Sequence, residues 1–322
     1  MAEIMKKRAD KIKERIREAI KRNDWVIKAE GARGFSVVTM YDGTENDGDY
    51  EIKIQIDEEN AIVTATSFFL KDVAINDDMI SLINELNGYV SIGAFIIRSN
   101  MIGFRSDFSY HDSLISVWAI SDFLSNIEYC IDNADDLLER FAKGERSFHF
   151  CEEEFSKRLG IYYDGYFTDT EAADKQYRVM LKGVNKSGYE INLSDEISRM
   201  CRILKYDGGV PLEIYSLVIG EGCVIRFVCH IGAEFKEENL IDCAKATLLL
   251  SNLAKIGTCE IVEDHIALKV DIHYFESIIS PDLIGYMLDE VVEFGETYGG
   301  LIYKLADEGI TYEEFVKKSL TL

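Results

Sequence analysis

Apolar residues in the first 22 positions recur on a helical period. Met5, Ala9, Ile12, Ile16, Ala19 and Ile20 share one face and charges fill the other, which predicts an amphipathic helix laid on a core. The period then changes to two. Phe35–Tyr41 is a short aromatic and β-branched run. Tyr50–Asp57 alternates strictly, with Tyr50, Ile52, Ile54 and Ile56 on one side and Glu51, Lys53, Gln55 and Asp57 on the other. Such alternation predicts an antiparallel strand with one buried and one wet face. Asp42-Gly43 through Asp49 is turn chemistry, and Ala61–Ser67 returns as a strand after Glu58-Glu59-Asn60. A helix is predicted over Asp77–Tyr89 and a hairpin over Gly93–Arg98 and Met101–Phe108. A long helix follows over Ser116–Lys143, with Ile120, Phe123, Ile127, Ile131, Ala134 and Leu138 in its stripe.

The same order then recurs. Shifted by 164 residues, Ile83–Glu145 meets Thr247–Gly309 without a gap. Between Leu86–Leu124 and Leu250–Leu288, 12 of 39 positions are identical, among them Gly93/Gly257, Asp107/Asp271, Ser113/Ser277 and Ser116/Ser280. Arg105/Lys269 and Phe104/Leu268 keep their character, so one unit is written twice. Upstream, Trp25-Val-Ile27 falls on Tyr189-Glu-Ile191, and Tyr41-Asp42-Gly43 falls one residue off, on Tyr206-Asp207-Gly208. The second copy predicts a helix near Glu171–Lys182 and strands over Tyr189–Leu193, Arg199–Tyr206, Leu212–Ile219 and Cys223–His230. A helix over Glu237–Leu253 follows, then a hairpin over Thr258–Val262 and His265–Ile272. The closing helix starts with Ser280 as N-cap and Pro281 in its first turn. Gly299-Gly300 inside it predicts a close packing contact.

The expected class is α+β: two tandem copies of a helix, antiparallel-sheet, helix, hairpin, helix sandwich. Residues 1–145 form the first copy, 146–165 an ordered aromatic and acidic connector, 166–309 the second copy and 310–322 a tail. One difference separates the copies. Leu212–Ile219 and Cys223–Cys229 are apolar on both faces, whereas Tyr50–Asp57 is polar on one. The outer face of the second sheet is therefore expected to meet the first copy, the connector or a second chain.

The segment Ile83-Asn-Glu-Leu-Asn87, then Gly93-Ala-Phe95 opening a hairpin, then the long helix Ser116–Lys143, resembles the YbjN-like domain. That family's fold is similar to the small chaperones that serve type III secretion. The second copy departs from the pattern, with Ser251 for Asn87 and Cys259 for Phe95. The resemblance implies a bacterial cytosolic protein that binds another polypeptide, is often dimeric, and has no catalytic residues to carry over.

The net charge of −23 repels phosphate backbones, so nucleic acid is not an expected partner. Residues 1–22 run against this field, with nine Lys or Arg and four acids. Three readings are open for them: a solvated helix face, docking onto the acidic remainder, or a membrane-surface helix. No apolar run reaches the roughly 18–20 residues a span needs, and the charged start is not expected to be a signal peptide. The seven cysteines (Cys130, Cys151, Cys201, Cys223, Cys229, Cys243 and Cys259) are odd in number and form no C-x-x-C, which points to reduced thiols in a cytoplasmic protein.

No phosphate loop, nucleophile elbow or zinc-protease motif occurs. Cys229, His230, Cys259 and His265 offer metal-ligand types, but neighbouring strand residues point to opposite faces. Glu45, Asp47 and Asp49 miss the calcium-loop register. No catalytic, cofactor or metal residues are expected. The expected function is a non-enzymatic polypeptide-binding module, chaperone-like or a regulatory adaptor. The chain is expected to form an intramolecular pseudo-dimer or a homodimer. The alternative is a small-molecule sensor or enzyme with its site in the cleft between the copies.

Overall fold

The computed structural model describes residues 2–39, 50–163, 170–207, 210–220, 223–231, 234–307 and 309–322. The predicted Asp42–Asp49 turn, with Glu45, Asp47 and Asp49, lies outside them, as do Tyr41 and Gly208. The first half runs α1 (Ala2–Arg22), β1 (Val26–Gly31), β2 (Gly34–Val38), β3 (Glu51–Asp57), β4 (Ile62–Leu70), α2 (Asp77–Tyr89), β5 (Ala94–Arg98), β6 (Met101–Ser109), α3 (Val117–Ala142) and α4 (Phe148–Tyr163). The second runs α5 (Thr170–Lys186), β7 (Ile191–Asp195), β8 (Met200–Asp207), β9 (Val210–Ile219), β10 (Val224–Ile231), α6 (Leu240–Leu253), β11 (Thr258–Val262), β12 (His265–His273), α7 (Pro281–Ala306) and α8 (Tyr312–Ser319).

The strands make two six-stranded antiparallel sheets of one topology. The first is ordered β1-β2-β3-β4-β6-β5 and the second, strand for strand, β7-β8-β9-β10-β12-β11. The chain is thus an α+β protein of two tandem copies. Two features differ from the sequence reading. Strand β1 was not anticipated, and its residues are mostly exposed, so no alternation marks it. The connector and the tail are helical: α4 starts at Phe148 and α8 at Tyr312, again 164 residues apart. The repeated unit therefore includes a fourth helix.

In the first half, Ile52, Ile54 and Ile56 of β3 point into a core closed by Ile12, Ile16 and Ile20 of α1 and by the Ile120–Leu138 stripe of α3. Ser116 and Ser280 cap the long helices, accepting from Ala119 N at 2.9 Å and Leu283 N at 3.1 Å. In the second half α5 crosses α7 closely at Gly183, where a methyl group would overlap the Ile284 side chain. The close approach expected at Gly299-Gly300 is not found. A methyl at Gly299 would meet nothing nearer than 3.4 Å, and nothing lies within 4 Å at Gly300. The tight crossing sits instead near the start of α7, where α5 lies over it.

The halves meet through reciprocal contacts between residues 164 apart. Leu114 and Ile278 pair with each other, each amide donating to the other's carbonyl at 2.9 and 3.0 Å. Ser116 N donates to Ser277 Oγ at 2.9 Å, and Ser280 N to Ser113 Oγ at 3.0 Å. Arg105 donates to Ser251 O and Ala254 O at 2.7 and 2.8 Å, at the end of α6. Its counterpart Lys269 donates to Val90 O at 2.9 Å, at the end of α2. Each contact and its mate are what a twofold relation between the copies requires.

Candidate functional site

The outer faces of the two sheets are where the copies part company. Cross-strand register aligns them, because Thr64 opposes Asp107 and Arg226 opposes Asp271 at the matching rung. Lys53 then corresponds to Tyr215, Gln55 to Leu217, Asp57 to Ile219 and Thr66 to Val228. On β3 the outward side chains are charged or polar and exposed. On β9 and β10 the outward positions are half-buried and largely apolar.

The hairpin end of this second face is covered. Lys269, Asp271 and His273 of β12 are buried against the first half, and Arg226 donates to Ser91 O and to Asp271 Oδ1, the latter at 2.8 Å. Toward β7 the cover ends. Leu193, Arg202, Tyr215 and Val228 form one rung, and Met200 and Leu217 share the next. Leu193 is 47% exposed and the others half-buried. The polar groups here are mutually bound, since Glu213 accepts from Arg202 at 3.1 Å and from Tyr215 at 2.7 Å. What is left facing outward is apolar surface next to β7, the last strand of its sheet. The face was expected to meet the first copy, the connector or a second chain; the first copy covers its β12 end, and its β7 end is uncovered among the described residues.

The candidate chemistry is dispersed. Cys229 and Cys259 both oppose Leu268 on the buried face, while His230 and His265 lie on the outer one. The imidazoles sit 6.1 Å apart, and burial and the neighbouring His265 push His230 below its ordinary value. Among the described residues no group of three or more His, Cys, Asp or Glu has metal-holding geometry. All seven cysteines are free and buried. Burial raises the thiols of Cys201 to about 11 and of Cys229 and Cys243 to about 12, so they stay protonated and weakly nucleophilic.

Sequence reasoning missed an acidic cluster on α3. Asp132 is raised to about 7, by burial first and then by Glu128. Tyr50 Oη donates to Asp135 at 2.5 Å and Trp25 Nε1 to Glu128 at 3.1 Å. The signal was present, since Glu128, Asp132 and Asp135 follow helical spacing beside the apolar stripe. Between the halves, His273 is buried against Phe123, with no hydrogen-bond partner for either ring nitrogen among the described residues. The surrounding space, lined by Phe108, Ile115, Phe123 and Ile272, has no room for a water molecule.

The basic helix α1 reaches other elements of its own half. Lys13 and Arg17 meet Glu30 at 3.1 and 2.5 Å, and Arg15 donates to Ile115 O at 2.7 Å. No described helix is long and apolar enough to cross a membrane. Family models, curated proteins and solved structures were compared with the chain, and none matches it.

Proposed function

We propose that the chain is a non-enzymatic polypeptide-binding protein, a chaperone-like module or regulatory adaptor that works as an internally paired monomer in the cytoplasm. The observation that carries this reading is the replacement of Lys53, Gln55, Asp57 and Thr66 by Tyr215, Leu217, Ile219 and Val228 on matching outward positions. A duplicated sheet that keeps its buried face and turns its outer face from polar to apolar has acquired a surface that water does not favour. The end strand β7 beside it offers backbone groups to an extended client segment, and the apolar rungs receive alternate side chains. The reduced, buried thiols support the cytoplasmic assignment. The resemblance to the YbjN-like domain points the same way.

The test is site-specific photo-crosslinking in bacterial cells carrying the full chain. A benzophenone side chain at Tyr215 is expected to trap polypeptide adducts that the same group at the matching Lys53 does not. Equal trapping at both sites, or none at Tyr215 in folded protein, overturns the reading. A rise of several degrees in Tm with a metabolite, without adducts, would instead favour the sensor alternative.

A further inference from the structure

The end strands β1 and β7 hold the same place in the two sheets. Offset by 164 residues they match position for position, with a bulge at the same point. Their charges do not match. β1 carries Lys28 and Glu30 in its middle. Lys13 and Arg17 of α1 meet that glutamate, and Lys13 donates to Gly31 O at 2.7 Å. Charges along an end strand keep a further strand from pairing with it. In β7 these charges are gone. Asn192 and Ser194 stand for Lys28 and Glu30, and Tyr177 and Leu181 of α5 stand for Lys13 and Arg17. Leu193, 47% exposed, stands for Ala29.

Acidic residues stand at the ends of β7 instead. Glu190 and Asp195 replace Val26 and Gly31. The turn after β7 is longer than the turn after β1, because Asp195 pairs with Met200 where Gly31 pairs with Gly34. It holds Glu196 and Ile197, the latter 92% exposed. The cations beside the strand are already engaged: Arg199 meets Asp174 at 2.6 Å, Arg202 meets Glu213 at 3.1 Å, and Lys205 meets Glu296. Glu190 and Glu196 are in no ion pair among the described residues. The free edge of β7 is thus apolar at its middle and acidic at both ends, next to the apolar rungs of β8 and β9.

From this we infer that β7 takes on its free edge a short extended segment of the client, apolar at alternate residues and carrying a lysine or arginine at each end. Unpaired backbone groups along β7 select an extended chain. Leu193 and the rungs behind it select apolar side chains on alternate residues, and the unpaired carboxylates select cations flanking them. The equivalent edge of the first copy, charged along its middle, refuses the same segment. The inference rests on the polypeptide-binding reading and adds to it the chemistry of the segment that is bound.

The probe is a fluorescein-labelled peptide in which a short run of alternating valine and threonine is flanked by a pair of lysines at each end, titrated with the full chain by anisotropy at physiological salt. Leu193→Glu removes the apolar contact while making the edge more acidic. Glu190→Lys combined with Glu196→Lys reverses the charge at both ends from exposed positions. Each change is expected to weaken binding about tenfold or more. Replacing the peptide lysines by glutamates should do the same. Lys28→Gln, on β1, should leave binding within about twofold of the starting chain. If the starting chain fails to bind the peptide, or if either folded variant binds it as tightly as the starting chain, the inference is overturned. Retention by Leu193→Glu leaves charge attraction alone, and retention by the double variant leaves apolar contact alone. Equal binding of the glutamate peptide, or an equal loss on Lys28→Gln, overturns it as well. Polypeptide adducts at Tyr215 alongside any of these results would leave the polypeptide-binding reading standing.

Discussion

Asn87 and Ser251 show how one task survives a change of residue. Asn87 accepts from Phe95 N at 2.6 Å and donates to Phe95 O at 3.0 Å. Ser251 accepts from Cys259 N at 2.9 Å and donates to Cys259 O at 3.1 Å. Both tie the last turn of a helix to the start of a hairpin, so the sequence departure at these positions is a conserved job done by a shorter side chain. Asn87→Ala leaves a buried amide and carbonyl unpaired and is expected to cost about 1–3 kcal/mol, read from the urea midpoint. His273 carries a pH effect. Burial lowers its folded pKa below the ordinary 6.5, while Asp122 from α3 and Asp271 from its own strand oppose the shift and Arg226 adds to it. The unfolded chain then takes the proton first as pH falls, so this group withdraws stability below about pH 6.5. His273→Leu should lose less Tm than the starting chain between pH 7.5 and 5.5; an equal loss in both would remove the imidazole as the cause. Asp132 has the opposite sign. Its folded pKa of about 7 lies above the ordinary 3.8, so its penalty grows as pH rises through 7 and vanishes below 3.8. Asp132→Asn is expected to stabilise the fold at pH 8 by about 1 kcal/mol, after discounting what solvent screens, and to gain nothing at pH 4.

At the scale of elements, periodicity carried the assignment wherever one face is buried and the other wet. Strand β3 and helix α3 are of that kind, as is α1 from Ala9 to Ile20, and their stripes in the sequence are their buried faces in the structure. Strand β1 escaped because an edge strand, open on almost every side, has no alternation to read. Helix α4 was legible in part. Cys151, Phe155 and Leu159 stand at i, i+4 and i+8, but the aromatic and acidic residues around them blur the stripe. Gly93 and Gly257, identical in the repeat, open the two hairpins at φ of 76° and 83°, a backbone region that costs side chains strain. A methyl at Gly93 would also stand 2.5 Å from Arg105 O. Gly93→Ala is expected to destabilise by more than about 1 kcal/mol in thermal unfolding, and Gly257→Ala similarly. A silent Gly93→Ala would mean the hairpin opens by another route.

The whole molecule is organised by the pairing of its halves. Arg105 spans them from a buried position, holding Asp107 at 3.1 Å within its own sheet while it reaches the end of α6. Arg105→Ala removes the partner of a buried carboxylate and of two carbonyls at once, and a loss of about 3–5 kcal/mol in chemical denaturation is expected. Because the reciprocal contacts are made inside one chain, light scattering should report the 36.6 kDa of a single chain; twice that mass would count against the internally paired monomer. The apolar character of the second sheet's outer face was legible at Leu217, Ile219, Val224 and Val228 on its central strands, but not which part of that face is covered.

The sequence by itself determined the unit, its duplication and each unit's buried face, because helical and strand periods are local properties and the 164-residue offset repeats them. The tertiary structure decided what lies over the outer faces: Lys269 and His273 end up beneath the first half while Leu193 and Tyr215 remain at the surface. The physical reason is that outward residues acquire an environment only when elements far apart in the chain are brought together, and a pattern of alternation records that a face is apolar without recording what it touches.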